Sequence, residues 1–501
     1  MVELKTHIYK TKMEVEPHIS DKFRQPIIFY MAHKNDRRNF FITFVIVDFL
    51  KNEQTFIITY TPENIEKIEK HEEERIFKMN KFSSPHCSFW IHAGKNFLTF
   101  AEMSGFFYLV DIEKGVVKVY TGKDIGYDGS NRIKEFGATF FKDPDDKNYF
   151  YLNATSRNEE SGECLSNFFK VDLKLKSLDN VFSHAISRNV RAPHVTRKFK
   201  EYLLNSEFNA RKYRFKKTGE IITEKRSLFK HVYENLYEQY CKKNDKKYKS
   251  EELYRLNKII PGKLELEPRF KNFCDSKGRD FLEICRNEPE LDFSVLPGEI
   301  SLINLKNKTI DFYGTTYCAP AHFEIDEKND FIYSSSHNFS NLGQRYFFGP
   351  AAIDKFLLKN GKLEKIGTFS DPSAYRLTTH KLFSCEGKSY IASFGQPNRI
   401  YFIKADTLET FYYDDIGEDV LSGLSDIGNF LNYNDLESIV LKALEISWDG
   451  KMVFFVGSDF LYVYDFLKRK IVKKIDYHPS IFVDGKIQRF YCRTTHCDYL
   501  T

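Results

Sequence analysis

The sequence is short of paired cysteines, of long apolar runs and of charge of one sign. Nine cysteines stand among 501 residues. The number is odd and no CxxC pair occurs, so a disulfide framework is not expected and a reducing compartment fits. The opening Met1-Val-Glu-Leu-Lys-Thr-His7 lacks the apolar core of a signal peptide. The longest apolar run, Phe40 to Leu50, is too short to span a bilayer and contains Asp48. Formal net charge is +5 in a chain that is 29% charged. That is too mild and too evenly spread to argue for nucleic acid. There is no phosphate-binding glycine loop, no dinucleotide fingerprint, no nucleophile elbow and no low-complexity tract. These absences predict a soluble cytoplasmic protein, a monomer, with no nucleic-acid partner.

What the chain has is aromatic residues and repetition. Aromatics make up 16% of it, dominated by 48 Phe and 30 Tyr, which favours strands. One phrase recurs as an apolar strand ending in Asp or Asn, a short polar turn, and a second strand. It begins at Val47-Asp48, Val110-Asp111, Val171-Asp172, Ile303-Asn304, Lys355, Ile403 and Tyr464-Asp465. Each of these seven outer hairpins can be paired with an inner hairpin before it. Irregular repeats of four short strands predict an all-β, seven-bladed β-propeller.

The first unit, Pro26 to Tyr60, has only three strands. Thr495 to Leu500 is a lone strand carrying the inner-strand phrase. Pairing the two closes the ring and removes both sheet edges. The expected divisions are an N-terminal extension (1–25), blades one to four in part (26–208), a partly helical insertion in blade four (209–297), and the remaining blades with the closing strand (298–501).

The inner phrase carries the chemistry. His86, His194, His322, His380 and His496 each open an inner strand, as in Ala319-Pro-Ala-His322-Phe-Glu-Ile-Asp326. Units three and seven hold Ala138 and Ala443 instead. Innermost strands surround a channel, so equivalent positions form a ring. Imidazole ligates Fe, Cu, Zn and Ni. Four of these histidines are expected to share one transition-metal ion at about 2.0–2.2 Å. A metal-free polar channel is the alternative. Cys87 and Cys497 follow ring histidines, and strand alternation turns them into the core. Glu102 and Glu445 are candidates to orient imidazoles.

This layout resembles the carotenoid cleavage oxygenases, which have seven blades, inner-strand histidines on one Fe(II), and a last histidine near the C-terminus. His496 matches that feature, and His322-Phe-Glu-Ile-Asp326 resembles a His-x-x-x-Asp phrase of the family. Selenium-binding-protein-like propellers are a comparable match. The resemblance implies Fe(II), with Cu or Zn also open, and a non-haem oxygenase using O₂ on an apolar or unsaturated small molecule. The other expectation is a non-catalytic propeller acting as a protein-interaction module.

The insertion is Lys/Arg-rich between Arg211 and Lys258, which admits a peripheral membrane contact. Leu228, Phe229, Val232, Leu236, Tyr237 and Tyr240 fall on a helical stripe. The insertion is therefore expected to cap one mouth of the channel.

Overall fold

The computed structural model describes residues 1–32, 42–59, 61–71, 91–93, 95–101, 106–126, 132–143, 146–157, 164–186, 196–206, 213–215, 221–222, 293–295, 298–316, 320–336, 352–371, 377–395, 399–416, 442–457, 460–477, 480–483, 486–489 and 497–500. Seven antiparallel sheets of four or five strands make a seven-bladed β-propeller. From the innermost strand outward, blade 1 is Asp498–Tyr499, Ile27–Ala32, Ile42–Asp48 and Glu53–Ile58. Blade 2 is Ile91–Ala93, Asn96–Ala101, Phe106–Asp111 and Val116–Tyr120. Blade 3 is Arg132–Lys142, Tyr149–Arg157, Cys164–Asp172 and Leu178–Ile186. Blade 4 is Thr196–Phe199, Tyr202–Ser206, Glu299–Asn304 and Thr309–Gly314. Blade 5 is Pro320–Asp326, Phe331–Ser336, Ala352–Lys359 and Lys362–Ser370. Blade 6 is Leu377–Cys385, Lys388–Gly395, Arg399–Lys404 and Thr410–Asp415. Blade 7 is Lys442–Ile446, Met452–Val456, Phe460–Asp465 and Lys470–Asp476.

The recurrent Asp or Asn has a local cause. At the end of the third strand its carboxylate or amide accepts from a backbone N–H in the turn, which sets the hairpin. Lys51 N donates to Asp48 Oδ1 at 3.0 Å, Lys114 N to Asp111 at 3.0 Å, Asn307 N to Asn304 at 3.0 Å and Lys468 N to Asp465 at 2.8 Å. Blade 5 uses Asn360-Gly361 instead, both with positive φ (52° and 72°), the two-residue turn that matches strand twist. Gly450 has a second reason. Its φ is 70°, and a Cβ there would lie 2.0 Å from the Ser384 carbonyl of the neighbouring blade.

Strand alternation sends successive residues to the two neighbouring blades. Among the described residues an apolar cluster fills each of the seven junctions. Tyrosine hydroxyls latch several of them. Tyr333 donates to the Ala405 carbonyl at 2.9 Å and Tyr412 to the Phe466 carbonyl at 2.7 Å. Both acceptors are the first residue after a third strand. Lys355 adds a cation to the first. Its buried ammonium donates to the Ala405 and Asp406 carbonyls at 2.9 and 3.1 Å and lies 4.0 Å from the Phe331 ring centroid.

The ring closes where the chain's two ends meet. Asp498–Tyr499 pairs with Ile27–Ala32 as the innermost strand of blade 1, in register Ile27↔Tyr499. The N-terminal residues do more than extend the chain. His7–Lys12 forms a fifth, outermost strand on blade 1, and Val2–Leu4 does the same on blade 2. Between those strands and blade 1, Met13, Val15, Ile19 and Phe23 enter the junction of blades 1 and 7.

The insertion has a stem. Tyr213–Phe215 pairs with both Ile221–Ile222 and Phe293–Val295, so Phe215 and Phe293 are neighbours and the chain between them leaves and returns at one place. The helical stripe expected over Leu228 to Tyr240 lies outside the described residues. Pro62–Glu69 forms a helix, with the Thr61 side chain accepting from Asn64 N. No helix among the described residues is long and apolar enough to cross a membrane.

His184, on the outer strand of blade 3, shows how a junction can fail. Its ring lies among Phe168, Phe182 and Phe312 at 5.9–6.4 Å, and neither ring nitrogen has a partner among the described residues. Burial pushes its pKa from 6.5 down to about 4. The folded state therefore holds this imidazole neutral while the unfolded chain takes up a proton. The benefit is whole above pH 6.5 and is lost as pH falls from there towards 4. It amounts to about 3 kcal/mol at most. Urea unfolding of wild type and His184→Phe at pH 7 and pH 4.5 reads this. The variant should lose less stability on acidification, and equal losses would remove His184 as a source of acid sensitivity.

Candidate functional site at the start of the inner strands

The two ends of the propeller differ. Strands alternate in direction, so links from first to second and from third to fourth strand lie at one end. These are tight turns such as 327–330, 360–361 and 386–387. Links from second to third strand, and from blade to blade, lie at the other. There the chain departs between Ser206 and Glu299, between Ser336 and Ala352, and between Asp415 and Lys442. Every innermost strand begins at that second end. Long connections on a rigid scaffold are where binding residues concentrate.

Two of the five expected histidines are described. His322 is the third residue of the innermost strand of blade 5 and is 8% exposed. His380 is the fourth residue of the innermost strand of blade 6 and is 1% exposed. They stand on adjacent blades at the connection end. His86, His194 and His496 lie outside the described residues, as do Cys87 and Glu102. No group of three or more metal-type side chains occurs among the described residues.

His380 is fixed by the neighbouring blade. Its Nε2 lies 3.1 Å from the Tyr333 carbonyl on the second strand of blade 5. A carbonyl only accepts, so Nε2 carries the proton and Nδ1 is left with a bare lone pair. That Nδ1 is buried and has no partner among the described residues. Desolvation holds the imidazole neutral, down to a pKa of about 4. The Tyr333 carbonyl opposes this, and the nearby positive charges of Arg197 and Lys381 assist it.

Next along the strand, Lys381 turns to the opposite junction and forms an ion pair with Glu445 of blade 7 at 3.2 Å. Glu445 also accepts from Ile446 N at 3.1 Å. Glu324 of blade 5 accepts from Leu382 N at 3.4 Å. The inner strands of blades 5, 6 and 7 are thus joined by charged contacts. Glu445 serves that link. Cys497 is buried in the apolar junction of blades 7 and 1, as its alternation predicts.

The same end holds buried hydroxyls on the second strand of blade 5. Ser334, Ser335 and Ser336 succeed one another on the second strand of blade 5, all fully buried. The Ser335 hydroxyl accepts from His322 N at 3.3 Å. Among the described residues Ser334 Oγ and Ser336 Oγ have no partner, and neither has Ser393 Oγ on blade 6, which sits directly across from His380. Buried polar atoms nearly always have partners, so such a concentration calls for bound water, an ion or a ligand. The sequence signal was the run Ser334-Ser-Ser336 inside a strand.

No known protein family matches the chain, and no curated protein matches it. Similar solved structures include a candidate 6-phosphogluconolactonase from Bacteroides fragilis, with 10% identity and TM-score 0.46, covering 95% of this chain and 99% of that one. The dihydro-haem d1 dehydrogenase NirN in complex with DHE gives 10% identity and TM-score 0.37, over 93% of this chain and 75% of that one. A luciferin-regenerating enzyme gives 8% and 0.35, over 76% and 83%. The expected likeness to the carotenoid cleavage oxygenases is corrected here. No family match carries it, and the neighbours bear other names. The physical reason is that any ring of blades repeats the place just after a blade-to-blade connection. A recurrent position there follows from the architecture and does not single out one family.

Proposed function

We propose that this propeller is a metal-dependent enzyme acting on a small molecule at the connection end of its channel. The ion would be held by imidazoles drawn from His86, His194, His322, His380 and His496. The observation that supports this reading is the crowding of unpartnered buried polar atoms around the starts of the inner strands of blades 5 and 6. A nitrogen donor set suits Fe, Cu, Zn or Ni, and the ion would supply Lewis acidity or redox capacity there. The preference for iron, O₂ and an unsaturated substrate came with the oxygenase likeness and is not carried further. Metal analysis after purification, and after reconstitution with Fe(II), Cu(II) and Zn(II) in turn, tests the reading. About one equivalent of one ion is expected, falling in His322→Ala. Protein that never retains a transition metal would end it.

A second reading, a protein-interaction module, is favoured by a different observation. Leu50, Trp448 and Leu467 are 56%, 55% and 45% exposed, all on the tight turns of blades 7 and 1 at the opposite end. A metal-free protein would leave that face as the stronger candidate.

A further inference from the structure

We propose that the tight-turn end of the propeller, over blades 7 and 1, docks onto an anionic lipid surface. The inference is independent of the metal reading. It gives the exposed face of the second reading a lipid occupant in place of a protein.

The apolar part of the face is held together by the fold. Phe466 N donates to the Lys451 carbonyl at 2.9 Å, which fixes the outer turn of blade 7 to the inner turn that carries Trp448. Trp448 N donates to the Lys22 carbonyl at 3.4 Å, and Phe23 stacks on Phe49, the residue before Leu50. Phe49 and Phe466 are buried anchors, and the next residue in each turn, Leu50 or Leu467, is left exposed. The Trp448 ring lies 5.7 Å from that of Tyr499 and is otherwise half exposed. Each of the three side chains is thus the tip of a hairpin turn on a rigid base. Protein partners concentrate their binding energy in packed pockets. Projecting Trp and Leu beside lysine suit a bilayer interface, where the apolar groups enter at headgroup level and the ammonium groups stay among the phosphates.

Charge supplies the complement. In blades 1 and 7 the aspartate that sets the outer turn is drawn in, and the lysine three residues on is left outside. Asp48 and Asp465 are 12% and 6% exposed, whereas Lys51 and Lys468 are 75% and 57% exposed. The charges that reach solvent are therefore ammonium groups. The links from third to fourth strand in blades 1, 3, 4 and 7 (49–52, 173–177, 305–308 and 466–469) contain Lys or Arg and no acid. Blade 6 is the exception, with Asp406 and Glu409 in its link. Around the patch, Lys22 pairs with Asp449 at 2.8 Å and Lys451 with Glu386 at 3.9 Å, and Asp21 and Arg24 offset one another. Arg469 and Lys470, both exposed beside Leu467, are in excess. Each such cation strengthens binding to an anionic bilayer about fivefold.

Fluorescence and vesicle sedimentation test this on the full chain. The sequence has two tryptophans, Trp90 and Trp448, so Trp90→Phe reports on Trp448 alone. Its emission should shift to the blue on vesicles of phosphatidylserine and phosphatidylcholine and be quenched by brominated acyl chains. Pure phosphatidylcholine should leave it unchanged, and salt should reverse the shift by screening. In sedimentation on the mixed vesicles, Arg469→Ala with Lys470→Ala should bind about 25-fold more weakly. Leu50→Ser with Leu467→Ser, both at exposed positions, should bind about tenfold more weakly. Failure to bind the mixed vesicles overturns the proposal and leaves the face to a protein partner. Binding that both double variants leave unchanged also overturns it and moves the contact to the basic stretch between Arg211 and Lys258. Metal content is read separately, so neither result bears on the metal reading.

Discussion

Removing residues 497–501 should cost the ring about 5 kcal/mol of stability. Three contributions are lost together. Cys497 is buried, and Tyr499 packs against the junction of blades 7 and 1. Leu500 packs against the junction of blades 1 and 2, and its N–H donates to the Pro26 carbonyl at 2.8 Å. The Tyr499 hydroxyl donates to the Ile446 carbonyl across the seam. Burying each side chain contributes roughly 1–3 kcal/mol and each hydrogen bond about 1. The deletion also leaves Ile27 and Ile28 on an open strand edge, so aggregation should accompany the loss. Urea unfolding and light scattering measure the two effects. Tyr499→Phe isolates the hydroxyl and should cost only about 1–2 kcal/mol. A truncated protein as stable as the full chain would mean that the closing strand is dispensable.

The second large effect is expected at Phe23. This residue belongs to no blade, yet it is fully buried. Its ring stacks on Phe49 of blade 1 with centroids 4.5 Å apart and meets Phe454 of blade 7 edge-on at 6.5 Å. Phe49 and Phe454 are themselves 6.0 Å apart and near perpendicular. Phe23→Ala would open a cavity that two blades must collapse to fill, at about 3–5 kcal/mol. The neighbouring ion pair of Lys22 with Asp449, at 2.8 Å, is about one-third exposed on both sides and contributes less than about 1 kcal/mol. Lys22→Ala is therefore a control. A loss below about 1 kcal/mol in Phe23→Ala would show that the N-terminal segment does not hold the seam.

The propeller was legible because its signals are local. An Asp or Asn that closes a turn, as Asp48, Asp111, Asn304 and Asp465 do, leaves the same trace in blades 1, 2, 4 and 7. The closing strand was legible because one unit lacked a strand and another strand lacked a unit. His7–Lys12 left no such trace. As an outermost strand it is almost wholly exposed, so no apolar alternation marks it. The direction of His380 was hidden for another reason. Sequence spacing gives the strand but not the bulge after Leu377, and the bulge sets which way the ring points. The role of Ser334 to Ser336 was hidden because a strand pattern does not show which hydroxyls end up fully buried.

The seam also sets an order of assembly. Synthesis presents Ile27 and Ile28 early, and their inner partner, Asp498–Tyr499, comes after every other blade. Blades 2 to 6 can pack pairwise on neighbours already made, but blade 1 waits with its inner edge unpaired. Late pairing between distant segments slows folding and prolongs the exposure of edges. His7–Lys12 covers the opposite edge of that blade from the outset. On this view the N-terminal strand is a guard for the interval before closure, and its loss should lower the yield of folded protein more than it lowers the stability of protein already folded.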